Sequence, residues 1–525
     1  TMFYSRRIGR APQGGLPAVD FFDVPVATRI LGAAKLTGKL APSVNFGMMH
    51  AVTAREEADV ALGGLESKAE VEPLTYYGVM RGLKEFRERR HGLGGMVTLT
   101  QRRFDDDALA TLLNRQSLMA GLDGWHFLDR RQTWVLSGWA GASRLAGTRE
   151  RMVAVQRDSR HYLQRPDVGY LGVDSSATSL AGYGSRVWLH HQQGALLFNS
   201  AIGVLSPKFD VNDMGYQARA DLVNGHVGMG YAWNQPNHLW RRAWMLGALY
   251  RSQDFGGNRT GMGFFSSNEV RLLNNTVVHL NVCPVAAAFD NRRTRGGPLV
   301  RNPGAIQSDL SVSTDATRQL AWGLDLYGMQ RPATDGYDWS VAPRVTWKPI
   351  PSLAVSVSPS YERLIEDAQY VTSVSDPGNV PANFGGRRYV FARMDQRTIG
   401  AEIRFNVSLT PDLSLQTYLQ PLISAGTYTD FKELARAGSY DFIHYDESGA
   451  PFALPEPSFN YKSLRGNAVL RWEYRPGSVL YFVWTQERVD FVPDGELEFG
   501  PSTRRLLDAP ANDVFMVKAT YHLGL

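Results

Sequence analysis

A single cysteine, Cys283, stands among 525 residues, which excludes an internal disulfide and any haem-attachment or zinc pattern built on paired thiols. No apolar run approaches the roughly eighteen residues that a spanning helix requires. Mean hydropathy is negative, at −0.26, although 43% of the residues are hydrophobic. No Pro/Ser/Gly linker or low-complexity tract divides the chain, so one very large unit is the simpler account of its length. No Gly-x-Ser-x-Gly elbow is present and the histidines lack metal spacing, so the reading is of a protein with no catalytic set, no cofactor and no enzymatic activity. The start at Thr1 shows neither the charged segment nor the apolar core of a secretory signal, and an envelope protein is therefore expected to have further sequence upstream.

What is present is alternation. Leu320, Trp322, Leu324 and Leu326 interleave with Ala321, Gly323, Asp325 and Tyr327; Trp339, Val341, Val345 and Trp347 interleave with Ser340, Ala342, Arg344 and Lys348. The same pattern recurs in Leu353, Val355, Val357 and Tyr361, and in Ile399, Ala401, Ile403, Phe405 and Val407 against Glu402, Arg404 and Asn406. Period two is the signature of strands with one apolar and one polar face. Trp339 and Trp347 share a face eight positions apart, which at about 3.3 Å per residue and a tilt of about 40° separates them by roughly 20 Å along a membrane normal. Twelve Trp and 22 Tyr suit two interfacial girdles.

Short links rich in Pro, Gly and Asn take turns with long ones. The short set falls at Ala41 and Pro42, Arg90 to Gly92, Arg130 and Arg131, Gln193 and Gly194, Gln235 to Asn237, Asn274 and Asn275, Asp315 and Ala316, Pro349 to Ser352, Pro411 and Asp412, and Pro476 and Gly477. The fold expected is all-β: a transmembrane antiparallel up-and-down β-barrel of about 22 strands (roughly 20 to 24) with short periplasmic turns and long extracellular loops. A single barrel domain is expected to span 1–525, with a first strand (Met2 to Ile8) and its loop in 1–28 and an even strand number. Long loops are expected at 148–176, 290–305, 366–388, 429–462 and 492–512, and further links at 56–72 and 206–218. Thr148 to Pro166 alone has helical character, and Phe515 to Leu525 reads as a terminal strand, although such strands usually end in Phe.

The net charge of +5 and pI of about 9.1 would raise nucleic-acid binding in a soluble protein, but the basic residues are scattered. No nucleic-acid partner is expected; outer-membrane lipid and lipopolysaccharide are. Lys35, Lys39, Arg344, Lys348, Glu402, Arg404, Arg471 and Glu473 fall on the polar parity and are the candidates to line a lumen, where mixed signs favour an internal ionic network. Arg292, Arg293 and Arg295 form the densest basic cluster in a long link. They are candidates for a loop site that takes an anion or lipopolysaccharide, against the plainer reading of a loop packed by ion pairs near Asp290. Asp105, Asp106 and Asp107 offer adjacent hard oxygens, a weak metal signal set against that of a solvated acidic tip.

Several phrases carry a resemblance: Phe3 to Arg10, Gly32 to Lys39, Gln164 to Asp167, Ser206 to Tyr216, Arg295 to Pro298 and Pro411 to Gln416. They are similar to a family of bacterial envelope proteins of unknown function. In that family an N-terminal carbohydrate-binding module of family-nine type precedes a C-terminal outer-membrane barrel-like domain, and this chain resembles the barrel part. The resemblance implies an integral outer-membrane location and a link to glycans, and it transfers no catalytic residues. The function expected is a passage or binding surface for an extracellular solute. The alternative is a structural or assembly partner that anchors a periplasmic or surface module within an envelope complex.

Overall fold

The computed structural model describes residues 2–16, 18–445 and 449–522. The backbone is one antiparallel meander in which each long strand pairs with the next, from Ile30–Ala41 and Val44–Thr53 through Ser478–Val492 to Ala511–Thr520. Twenty-two strands join this sheet. One of them, Phe442–His444, is three residues long and pairs only with the end of Leu413–Leu434, so twenty-one run the depth of the sheet. Short turns close one edge at every position their Pro, Gly and Asn content marks. Gly194, Gly477 and Asn275 supply the positive φ values, 87°, 76° and 64°, that such reversals use.

Side chains divide by parity. Leu36, Leu122, Ile202, Leu249, Trp322, Trp347, Phe482 and Val517 are exposed on one face. The opposite face is ionic: Arg81 forks onto Asp123 at 2.8 and 2.7 Å, Ser311 Oγ donates to Asp325 at 2.6 Å, and Arg344 reaches Asp325 at 3.2 Å. The long links fold over this second face, which makes it the inner one. Arg292 of the 286–304 link donates to the carbonyls of Arg160 and Ala220, and Leu299 N donates to Asp167. Loops from distant parts of the meander thus meet one another over the inner face. Their apolar core gathers Val300, Ala368, Phe384, Tyr389, Phe391 and Leu434.

Several expectations are corrected. Met2 to Ile8 is not a strand: Tyr4 N donates to Met214 O, Ser5–Arg7 makes a single 3-10 turn, and Phe3 and Ile8 pack on Ala51, Tyr77, Val79 and Met214. Its apolar alternation serves an inner wall contact instead of a ladder. The 56–72 link is a hairpin, Glu56–Leu62 with Leu65–Glu72, joined by Phe21–Asp23 into a separate three-stranded sheet. Strands Leu353–Ser375 and Arg387–Thr410 run far into the expected 366–388 loop, leaving 376–386 as the link. Likewise Leu413–Leu434 and Phe459–Arg475 shorten the 429–462 loop. These extensions escape the period-two signal because both their faces are covered: Tyr389, Val390, Phe391 and Ala392 are buried in succession. Leu523 and Leu525 of the expected terminal strand lie outside the described residues.

With Met2 to Ile8 removed from the count, the long strands are odd in number. Ile30–Ala41 and Ala511–Thr520 therefore run in the same direction, from the loop edge to the turn edge. Among the described residues each pairs with one neighbour only, and no ladder joins them to each other.

Candidate functional site

A cavity of about 680 Å³ opens on the inner face between the wall and the 206–221 link. The wall contributes Arg81, Met96, Asp123, Trp139 and Leu205; the link contributes Phe209, Val211, Tyr216, Gln217, Ala218 and Arg219; Met2 and Phe3 complete the lining. Trp139 and Phe209 stack with ring centroids 6.5 Å apart. An apolar, aromatic surface with a bidentate ion pair and an amide at its margin is the form that binding sites take.

The link is held inward by buried bonds. Asp210 N donates to Ser143 Oγ at 3.0 Å, and Gln217 Nε2 donates to the carbonyls of Phe209 and Arg219 at 2.8 and 3.1 Å. Asp213 accepts from Arg102 Nη1 at 2.5 Å and from Asn114 Nδ2 at 2.7 Å. Burial pushes the Asp213 carboxyl up, but Arg102 and Asn114 outweigh it and leave the group below its ordinary range. Asp210 faces His161 Nε2 at 3.2 Å and the Arg160 guanidinium at 3.6 Å. Burial again opposes the charge, and the His161 bond and Arg160 bring the carboxyl down to about 2.

Asp158, His161 and Asp210 bring one ligand atom each within 4.8 Å of one another, a grouping whose spacing of three and forty-nine positions gives no sequence signal. Arg160 contacts both carboxylates, so its guanidinium already supplies the positive charge that a metal would bring. A second buried knot holds the neighbouring links: Arg165 meets Asp167 at 3.3 Å and Asp254 at 3.4 Å, and Tyr170 donates to Asp221 at 2.9 Å.

Of the sequence candidates, the register puts Lys35, Lys39, Arg344, Glu402, Arg404, Arg471 and Glu473 on the same inner face as Arg81 and Trp139. None of them lines the cavity. Arg404 pairs with Glu402 at 3.6 Å and lies over Tyr418, Arg471 pairs with Glu473 at 2.6 Å, and Lys348 Nζ donates to Ala316 O at the turn edge. Of the arginine cluster, read either as an external anion site or as a loop packed by ion pairs near Asp290, Arg292 and Arg293 turn inward while Arg295 stays exposed. Arg292 donates to the carbonyls of Ser159, Arg160 and Ala220, Arg293 pairs with Glu366 at 2.6 Å, and Arg295 covers Tyr370 at 4.9 Å. Burial lowers the Arg292 pKa to about 10, with Arg219 adding to the effect. The acidic triplet stays at the surface, with Asp105 and Asp107 exposed: Asp105 pairs with Arg55 at 2.5 Å, and Asp106 caps the helix Asp107–Leu112 through Ala108 N.

The cavity residues escape a pattern-based reading, although two signals mark them. Trp139 is an aromatic at the polar parity among Gly141 and Ser143, and Arg81 is a cation set between the apolar Val79, Met80 and Leu83. The phrase Ser206 to Tyr216, distinctive in the sequence, proves to be the loop that builds the cavity roof.

Comparison with known proteins adds the following. The outer membrane transporter YddB from Escherichia coli is similar at 9% identity and a TM-score of 0.39, over 87% of this chain and 62% of that one. The ferric enterobactin receptor PfeA from Pseudomonas aeruginosa is similar at 8% identity and a TM-score of 0.34, over 79% and 72%. The chain thus spans less than two thirds of the YddB chain. No protein of curated function matches it. A family model described as Domain of unknown function (DUF5916) matches residues 1–90 and 146–525, which is most of the chain, and the protein belongs to that family.

Proposed function

We propose that the protein is an integral outer-membrane β-barrel whose inner cavity binds an extracellular solute on its way through, with no covalent chemistry of its own. The observation that supports membrane insertion is the division of the sheet into faces. Leu, Ile, Val, Phe and Trp side chains stay exposed on the outer face of strand after strand while arginine and carboxylate pairs occupy the inner one. In water such an outer surface would be a large uncovered apolar patch; in lipid it is satisfied. Trp322, Trp339 and Trp347 sit on this face, with Trp339 packed on Tyr361 at 5.2 Å between ring centroids.

The cavity chemistry favours a glycan as the solute. Trp139, Phe209 and Tyr216 offer flat apolar faces, and Arg81, Asp123, Gln217 and Arg219 offer hydrogen bonds around them. That combination suits a ring with one apolar face and a rim of hydroxyls. Reconstitution into planar bilayers with a soluble oligoglucose added to the loop side is the direct test. The reading expects a current that the oligosaccharide reduces, and Trp139→Ala should weaken that block by about tenfold, equivalent to about 1.4 kcal/mol. A protein that remains outside the bilayer, or a current indifferent to the sugar, would sink it. The structural alternative, an anchor within an envelope assembly, draws support from the buried ionic knots around Arg165 and Arg293, which brace the links over the inner face. A companion protein that co-purifies in fixed ratio from native membranes would favour that alternative.

A further inference from the structure

Val52, Leu74, Tyr76, Gln101 and Arg103 share one face of three neighbouring strands, because Val52 pairs with Tyr76, Tyr76 with Gln101 and Leu74 with Arg103. That face is the outer one, since Met80 has the parity of Leu74 and Tyr76, Val97 has that of Gln101 and Arg103, and both are exposed. Together with Arg115 these side chains line a pocket of about 450 Å³ at the loop edge. Arg144, two strands further on, pairs with the outward Leu118 and extends the same patch. Arg103, Arg115 and Arg144 are all exposed, and among the described residues none has a carboxylate within ion-pair distance. On the inner face, by contrast, Arg81 and Arg344 each meet an aspartate. Gln116 Nε2 donates to Gln101 Oε1 at 3.1 Å, which leaves the guanidiniums as the groups that call for a partner.

The height of the patch defines that partner. Gln116–Phe127, with 12 residues, runs from beside Arg115 to the turn edge. At about 3.3 Å per residue and a tilt of about 40° it rises roughly 28 Å, against an apolar band of about 25 Å. The arginines therefore stand where lipid headgroups begin, on the side of the long links, and Arg144 brings its charge to that level from one row below. Adjacent strands lie about 4.8 Å apart, so the three cations cover a patch on the order of 10 Å across. One phosphate, as in an ordinary phospholipid, does not satisfy three guanidiniums; a headgroup with two phosphates does. The apolar side chains Val52, Leu74 and Tyr76 beside them suit an acyl chain and give a free phosphate ion nothing. We propose that this pocket binds a bisphosphorylated glycolipid of the outer leaflet, of the lipopolysaccharide type, with its phosphates on Arg103, Arg115 and Arg144 and an acyl chain on Val52, Leu74 and Tyr76. The site rests on the reading of the outer face as lipid-facing, and it lies on the opposite side of the wall from the solute cavity.

The test uses the full chain in phosphatidylcholine liposomes doped with bisphosphorylated lipid A, with lipid A stripped of both phosphates, or with phosphatidylglycerol. The bisphosphorylated form should bind about tenfold more tightly than either of the others, and millimolar inorganic phosphate should not displace it. Arg103→Gln/Arg144→Gln should remove that preference, whereas Arg318→Gln, an exposed arginine at the turn edge, should leave it intact. Equal binding of the two lipid A forms, or a preference that survives in the double variant, overturns the proposal. Phosphatidylglycerol binding as tightly as lipid A would reduce the patch to contact with any anionic lipid, and displacement by inorganic phosphate would make it a simple anion site; either result also overturns it. Flotation with the liposomes reads insertion separately. A protein that does not float sinks the barrel reading and this inference with it, whereas one that floats without preferring the phosphorylated lipid sinks this inference alone.

Discussion

Gly182 lies directly against the backbone of Phe209, so close that a Cβ on Gly182 would overlap the Phe209 nitrogen and Cα. The absent side chain is what lets the 206–221 link fold down onto the inner wall and roof the cavity. Gly182→Val should displace this link at a cost of about 1–3 kcal/mol, the usual range for overpacking. Because the strand position itself accepts valine, the sheet is expected to stay intact. The checks are a raised single-channel current and new protease cleavage within 206–221, with unchanged far-UV circular dichroism.

Arg102 and Asp213 form a buried pair, with side chains 1% and 7% exposed. Removing one partner leaves an uncompensated charge, so Arg102→Ala should destabilise the folded protein by about 3–5 kcal/mol. The double variant Arg102→Met/Asp213→Leu removes both charges and should recover most of that loss. Asn114 then loses its acceptor, which sets the limit of recovery. Thermal unfolding in detergent of the three variants beside the native chain measures the difference.

The sheet was legible because lipid and an ionic interior impose opposite demands on alternate residues, and the demand is repeated in every strand. Turns were legible for a local reason, since Pro42, Asn275, Gly194 and Gly477 act on their own backbone. The inner links obey neither rule. Arg292 and Arg293 read as a charged loop tip, yet their partners are carbonyls and a carboxylate more than seventy positions away. Met2 to Ile8 has the composition of a strand and packs as an inner segment because Met214 O, and not a neighbouring strand, accepts its backbone bond at Tyr4. Long-range pairing of this kind leaves no period in the sequence.

Asp210 supplies a pH dependence with a definite sign. Its folded carboxyl is depressed from 3.8 to about 2. The charged form is thus favoured in the folded state, and the associated stability is fully present above about pH 4, the ordinary range of an unfolded aspartate. It is lost as pH falls from about 4 towards 2, a loss on the order of 2 kcal/mol. Unfolding followed between pH 5 and 2 should show this slope in the native chain and a flatter one in Asp210→Asn, which cannot release a proton.

Arg293 separates an internal brace from a surface anion site. Its guanidinium is shared among Glu366 Oε1, Asn302 Oδ1 and the Ala368 carbonyl, while Arg331 holds the other Glu366 oxygen at 3.1 Å. Arg293→Ala therefore leaves Glu366 one cation and strips the Ala368 carbonyl of a donor. The expected cost is about 1–3 kcal/mol, less than for a pair left wholly uncompensated, because Arg331 remains. Arg331→Ala in the same background should add more than its own single effect, since the carboxylate then has no cation within reach. Binding of lipopolysaccharide to the intact protein should be unchanged by Arg293→Ala if the side chain is a brace. A loss of lipopolysaccharide binding at unchanged thermal stability would instead place the guanidinium at an external anion.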